Sequence, residues 1–417
     1  MEKNNEEDRR ARGQRLPKYR RQPTLYGNIR LTARDLDILA LAERYRYMTV
    51  DHVHALVEGG ARQLSRRLQA LFHHGLLTRY IPLRRLRVGL DTGSRKMIYG
   101  LDRKGWLALK QAGFGGPGEW RADRTRRAEW FIEHQTALAT LRGCLEVAIR
   151  ARRDLRLLDW RQGEEIAGEF RYENVQSGEW VATRVVPDAY FAVLEGDSGE
   201  MDVAAELHRK IGEELKRGKA VARAKADVFD APAFCETIKP RLARELGLGV
   251  VDVERLLKTR RNFLVEVDMG SMEMPRLREK FQRLYNYARS SSYGQAYAGT
   301  NENDLRILVL AKFATGGTRL PGESEPRSRL ERMMETLTQI RGKRSGLARF
   351  WFARLPDPAR SSETESSYGW ARPELLLGPI WRRWSQADER GGRQVEFASL
   401  FGKGPGVTVE EPVLKER

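Results

Sequence analysis

Cysteine is scarce, with only Cys144 and Cys235 in 417 residues. Two isolated thiols make neither a disulfide framework nor a zinc module, and they suit a reducing cytoplasm. No apolar run is long enough to cross a bilayer, and no amphipathic basic helix offers a surface anchor, so no membrane is expected among the partners. The charged stretch Met1 to Asp8 does not read as a secretory signal, and a cytoplasmic location is the expectation. No Gly-Lys-Ser/Thr loop is present, so neither an ATPase nor a helicase is expected, and no nucleotide cofactor. Acid is also short: 57 Asp and Glu face 75 Lys and Arg, a net charge of +18. Such an excess either keeps the chain soluble or meets a polyanion, and without a membrane signal that polyanion is nucleic acid. The length calls for two or three domains.

What is present begins with a basic arm, residues 1–30. Arg9, Arg10, Arg12, Arg15, Lys18, Arg20, Arg21 and Arg30 follow one another with no acid between them, and Pro17, Pro23 and Gly27 break any periodicity. This predicts a disordered segment that either follows phosphates or is merely solvated.

Residues 31–112 carry the pattern of a winged helix–turn–helix. Thr32 with Asp35 opens a first helix through Leu36, Leu39 and Ala40. Thr49 caps a second, shorter helix with Val53, Leu56 and Val57, and Gly59-Gly60 make the turn. A third helix holds Leu64, Leu68, Leu71 and Phe72 on one face and stops at Gly75. Its other face offers Arg62, Gln63, Arg66 and, nearby, Arg67 to a major groove. Arg79, Arg84, Arg85 and Arg87 lie on a hairpin that returns through Met97–Leu101 and forms a basic wing for the phosphate backbone. The expected partner is double-stranded DNA at an origin or operator, and a palindromic site would require a homodimer. Protein contact through the same fold is the alternative.

Residues 125–355 read differently. A long helix over Trp130–Arg150 precedes apolar strands at Val185–Val193, Phe263–Met269, Leu305–Phe313 and Arg349–Ala353. Helical patterns fall at Pro275–Ser290 and Arg327–Arg341, and the alternation predicts an α/β sheet. Pro187-Asp188 places an acid in one strand, and Glu266 and Asp268 stand inside another. Alternation puts Glu266 and Asp268 on one face of their strand. Buried carboxylates are costly unless paired or coordinating a cation. Asp188 and Glu266 on adjacent strands, with Asp268, would form an all-oxygen pocket for Mg²⁺ or Mn²⁺. Lys280 sits beside Leu277 and Leu284 on the next helix and could lean toward the sheet edge. Otherwise it is a surface lysine and the acids pair with arginines.

This arrangement resembles the PD-(D/E)XK nucleases, with Pro187-Asp188 and Glu266-Val267-Asp268 as the two half-motifs, although Asp268 stands where that superfamily has lysine. Taken together, Leu31-Thr32, Tyr99 to Asp102, Val186 to Tyr190, Leu264 to Ser271, the series Leu277, Lys280, Leu284, Tyr285 and Tyr287, and Gly378 to Trp381 resemble the replication-relaxation family. The resemblance implies DNA binding in plasmid replication or conjugative mobilisation, with some relatives acting as relaxases on a nuclease-like fold. It makes Asp188, Glu266 and Lys280 the catalytic candidates. The alternative it leaves open is a non-enzymatic initiator or transcriptional regulator with a degenerate nuclease-like domain. The whole is expected to be α/β: a winged helix, then a mixed sheet with a helical insertion over 197–260, then an extension over 356–417.

Three features weigh less. Ala243, Gly247 and Val253 have the offsets of a second helix–turn–helix within the insertion, which either contacts DNA or only packs. His52-Val53-His54 imitates the histidine motif of rolling-circle nickases, but residues two apart on a helix diverge by about 200°. Tyr285 and Tyr287 read most simply as packing residues.

Overall fold

The computed structural model describes residues 19–23, 28–80, 97–114, 120, 129–173, 178–297, 305–312, 328–340, 347–356, 373–378, 380–384 and 395–401. The architecture is α/β, and the chain divides into two compact units, Met1–Thr140 and Leu141–Arg417. Most of the basic arm and the wing residues Arg84, Arg85 and Arg87 lie outside the described residues.

The first unit holds α1 (Ala33–Tyr45), α2 (Val50–Leu56), α3 (Ala61–His73), β1 (Leu77–Tyr80), β2 (Ile98–Leu101) and α4 (Arg103–Gln111), and most of its sequence pattern is explained by caps. Thr32 N–H donates to Asp35 Oδ2 at 2.8 Å while Asp35 N–H returns to Thr32 Oγ1 at 3.4 Å, closing the capping box that starts α1. Thr49 starts α2 in the same way through His52, whose Nδ1 accepts from Thr49 N–H at 3.1 Å. Gly75, with φ +77°, turns the chain out of α3 into β1. The two strands pair antiparallel, Leu77 opposite Leu101, and Met48 bridges to Tyr99 from outside. Ile38, Leu39, Leu64, Leu68, Leu71 and Leu77 close the core with almost no exposure. The helix α5 (Glu129–Arg150) follows, and the unit boundary falls within it.

The second unit is built on β3 (Leu155–Gln162), β4 (Gly168–Glu173), β5 (Trp180–Val185) and β6 (Ala189–Glu195). Next come α6 (Ser198–Ala224), α7 (Ala231–Glu245), α8 (Val250–Leu257) and β7 (Arg260–Asp268). The chain continues through α9 (Met274–Tyr287), α10 (Ser291–Ala296), β8 (Leu305–Ala311), α11 (Arg329–Thr338), β9 (Phe350–Arg354), β10 (Trp381–Trp384) and β11 (Val395–Ala398). Seven strands form one mixed sheet in the order β11-β10-β9-β8-β7-β6-β3, and β4 and β5 form a separate pair. The neighbours β7, β8 and β9 are parallel; the remaining pairs are antiparallel.

The expected strand Val185–Val193 is two strands in two sheets. Pro187 has no N–H to give a ladder and holds Val186 extended, so β5 ends at Val185 and the chain crosses to β6. The extension 356–417 adds β10 and β11 to the main sheet, and Trp381, fully buried, donates its indole N–H to Leu376 O at 2.9 Å.

One face of the sheet carries Leu264, Ile307, Val309, Phe350 and Phe352 against Leu277, Phe281 and Leu284 of α9 and Leu330, Met333 and Leu337 of α11. Tyr285 and Tyr287 are buried in this core, and the Tyr287 ring stands where a Cβ on Gly168 would have to sit, 2.4 Å away. On the opposite face Phe191 stacks on Phe263 with centroids 4.5 Å apart.

The insertion is wholly helical, and α6, α7 and α8 share a core of Leu207, Ile211, Ile238, Leu242, Ala243, Val253 and Leu256. Gly247, with φ +67°, makes the turn between α7 and α8. The insertion's basic residues are partly paired, Lys210 with Glu245 at 3.0 Å and Arg217 with Glu214 at 2.9 Å. His208 lies in this module, where burial and then the nearby Arg260 press its pKa from 6.5 down to about 3. Below pH 6.5 the unfolded chain takes up a proton that the folded one refuses. Stability from this group is therefore present above pH 6.5 and lost as pH falls toward 3. Between pH 7 and 4 the urea midpoint of His208→Leu should fall less steeply than that of the wild type. Parallel curves would show that His208 does not contribute to acid sensitivity.

Candidate functional site

Two groups of predicted residues lie in the two units, and the structure treats their members differently. On α3 the apolar stripe turns Leu64, Leu68 and Leu71 inward and leaves Arg62, Gln63, Arg66 and Gln69 exposed on the other side. Arg67 does not share that exposed face. Its Nε donates to Asp35 Oδ1 at 2.6 Å, a second nitrogen meets Asp35 Oδ2, and Nη2 reaches Arg30 O at 3.2 Å. Burial disfavours the Asp35 anion, but Arg67 and Thr32 outweigh it and hold the carboxyl below its ordinary range. Arg79 is likewise turned inward, its guanidinium 4.1 Å from the Phe72 ring centroid and 5.3 Å from that of Tyr99. Arg67 and Arg79 are thus struts of the unit, and Arg62, Gln63 and Arg66 are its outward residues.

In the second unit three predicted residues converge. Asp188 stands just before β6, Glu266 near the end of β7, and Lys280 in the middle of α9. Position 280 follows Leu277 by three and precedes Leu284 by four, so packing of those leucines carries the lysine to the sheet. Its ammonium contacts Glu266 Oε2 directly and lies 3.8 Å from Asp188 Oδ1. Asp188 lies close enough to Glu266 to raise its pKa. Asp188 is held from below, since its Oδ2 accepts from Val267 N–H at 2.7 Å and its own N–H donates to Val265 O at 3.0 Å.

The electrostatics follow from this crowding. Burial first, and then Asp188, push Glu266 well above the usual carboxylate range, with Lys280 pulling against them. Burial works against the Lys280 ammonium too, but Glu266 and Asp188 outweigh it and hold its pKa above the usual lysine range. Glu266 Oε1 is enclosed and has no hydrogen-bond partner among the described residues. An orphaned carboxylate oxygen in an all-oxygen pair is a donor set that suits a hard divalent cation.

Asp268 shares the strand face of Glu266 but not its partners. Arg329, the first residue of α11, grips it through both oxygens, with Nη2 2.8 Å from Oδ1, and also donates to Met272 O. Asp268 is therefore neutralised by a guanidinium and is not a third member of the cluster. Among the described residues no group of three His, Cys, Asp or Glu side chains converges as a cation site.

The sequence reading missed Arg329, which lies 61 residues from its partner behind an ordinary Ser328 cap. It also missed a polar lattice on the same face. Tyr190 OH donates to Asn262 Oδ1 at 2.6 Å and accepts from Arg260 Nη2 at 2.8 Å. Asn262 is fully buried, but it stands where two arginines give way to Phe263-Leu264-Val265 and so gave no distinctive sign in the sequence.

Residues 39–231 match the model of the replication-relaxation family. The resemblance read from the sequence stands. No curated protein and no solved structure matches the chain. The family match supports a role in replication, and it takes in α3 and Asp188 but ends before Glu266 and Lys280.

Two buried ion pairs make a stability test. Asp35 is 1% and Asp268 4% exposed at the side chain, so removing either arginine strands a charge away from water. Arg329→Ala and Arg67→Ala should each destabilise folding by about 3 kcal/mol in urea titrations. Arg66→Ala, on the exposed face, should stay within about 0.5 kcal/mol of wild type. A loss below about 1 kcal/mol for Arg329→Ala would remove the structural role assigned to Asp268.

Proposed function

We propose that this chain binds double-stranded DNA through a winged helix–turn–helix. On this reading it also nicks or processes that DNA at an origin, serving plasmid or mobile-element replication or conjugative mobilisation. The observation that carries the catalytic part is the convergence of Asp188, just before β6, with Glu266 of β7 and Lys280 of α9. The order of three helices and an antiparallel pair, with Arg62, Gln63 and Arg66 exposed on the third helix, supports the DNA-binding part. The family match supports the setting.

Asp188 and Glu266 would hold Mg²⁺ or Mn²⁺, which when bound supplies charge neutralisation at the scissile phosphate and a lower pKa for the attacking water. The residues have separable tasks. Asp188 is oriented by the Val267 N–H, which holds Oδ2, so the carboxylate is aimed before any ligand arrives. Glu266 offers the unpartnered Oε1. Lys280, held as a cation, donates to a non-bridging phosphate oxygen and stabilises charge that develops there.

A second reading has its own observation. The Lys280 ammonium already serves both carboxylates, and Arg329 occupies Asp268. A site so neutralised suits a nuclease-like domain that has lost its chemistry in a DNA-binding initiator or transcriptional regulator.

Supercoiled plasmid carrying the cognate origin, incubated with the protein and Mg²⁺ or Mn²⁺, separates the two. The first reading expects nicked circles from wild type, a loss of a hundredfold or more in Asp188→Asn, and unchanged duplex affinity in that variant. Tight binding with no relaxation by either protein would overturn it in favour of the second. For the DNA-binding part, Arg62→Ala with Arg66→Ala should cost about 1–3 kcal/mol of affinity for the preferred sequence. Equal affinity in wild type and double variant would remove α3 as the reading helix.

A further inference from the structure

An open pocket of about 610 Å³ lies in the first unit, where the end of α3 and the start of α4 come together. Its volume is within the range of small-ligand sites. Three cations, Arg21, Arg103 and Lys104, line it against one carboxylate, Asp102, with His73, His74 and Leu107 among the rest of the wall. The carboxylate is already engaged, accepting from Arg21 Nη2 and from Arg103 N–H at 2.6 Å. Arg103 and Lys104 are exposed and their side chains pair with no acid among the described residues. His74 Nε2 is enclosed without a hydrogen-bond partner there.

The pocket is also placed with respect to α3. Steps of four, three and four residues lead from Arg62 through Arg66 and Gln69 to His73, so all four share one helical face. The chain before α1 covers the end of that stripe, where Gln22 N–H donates to His73 Nδ1 at 3.0 Å. The pocket opens beside that cover.

Two cations without an acid partner in one concavity repel each other until an anion enters. A planar carboxylate offers two oxygens in one plane, whereas guanidinium and ammonium groups from two segments suit a tetrahedral acceptor. We propose that this pocket binds a phosphate group, with Arg103 and Lys104 supplying the charge that holds it. The phosphate belongs either to the backbone of a duplex lying along α3, which rests on the DNA-binding reading above, or to a free phosphate compound.

The test uses the full chain, with pyrophosphate as one probe by calorimetry and a short mixed-sequence duplex as the other by fluorescence anisotropy at several salt concentrations. Arg103→Ala with Lys104→Ala alters two exposed side chains, and an unchanged melting temperature verifies the fold. A tenfold or greater loss for pyrophosphate alone supports a free phosphate ligand. A comparable loss for the duplex, with the salt slope reduced by about one, supports a backbone phosphate. Unchanged affinity for both probes, or binding of neither by wild type, overturns the site. If wild type binds pyrophosphate but no duplex, the DNA-binding reading fails while the pocket is judged on the pyrophosphate result alone.

Discussion

Three carboxylates at one end of the β6–β7 pair have to be kept out of water, and the second unit is organised around neutralising them. Removing an ion from water costs several kcal/mol even after the protein relaxes, and only close partners offset it. Glu266 and Asp268 stand on the face of β7 that packs against α9 and α11, so those helices must supply the opposite charge. Lys280 comes from the middle of α9 and Arg329 from the first turn of α11. The helices are held by their leucines and methionines, and the two cations are carried to fixed places by that packing. A shift of either helix along the sheet would uncover a buried charge. Register is thus enforced electrostatically as well as by shape.

The first unit uses the same device once. Asp35 caps α1 through Thr32 and simultaneously binds Arg67 of α3. One side chain therefore starts one helix and fixes the rotation of another. Because Arg67 is drawn toward α1, its neighbour Arg66, about 100° round the helix, is turned away. The outward basic face of α3 is a consequence of an inward ion pair.

Much of this was legible in the sequence where it depended on local periodicity. The Thr32–Asp35 cap, the leucine stripe of α3, the shared face of Glu266 and Asp268 and the inward placement of Lys280 all follow from spacings of two, three or four residues. What escaped depends on contacts remote in sequence. Arg329 gives no local sign of its partner. Arg67 looked like its neighbour Arg66 because only the position of α1 distinguishes them. The strands β3, β4, β5, β10 and β11 were missed because charged residues such as those of Leu155–Gln162 and Trp381–Trp384 hide short strands. The sheet change at Pro187 was missed for the opposite reason, since apolar residues continue across it.

Charge arithmetic at the cluster bears on how a nuclease reading would work. With both carboxylates ionised, Asp188, Glu266 and the Lys280 ammonium sum to one negative charge in a buried site, where burial first, and then Asp188, raise the Glu266 pKa. A divalent cation alone would turn that sum to one positive charge. A phosphodiester alone would deepen it to two negative charges beside carboxylates. Cation and phosphodiester together restore neutrality without moving Lys280 away from the acids. In a water-poor site neutral combinations are strongly preferred. Cation and DNA would therefore bind as a pair, each raising the affinity for the other by the same factor.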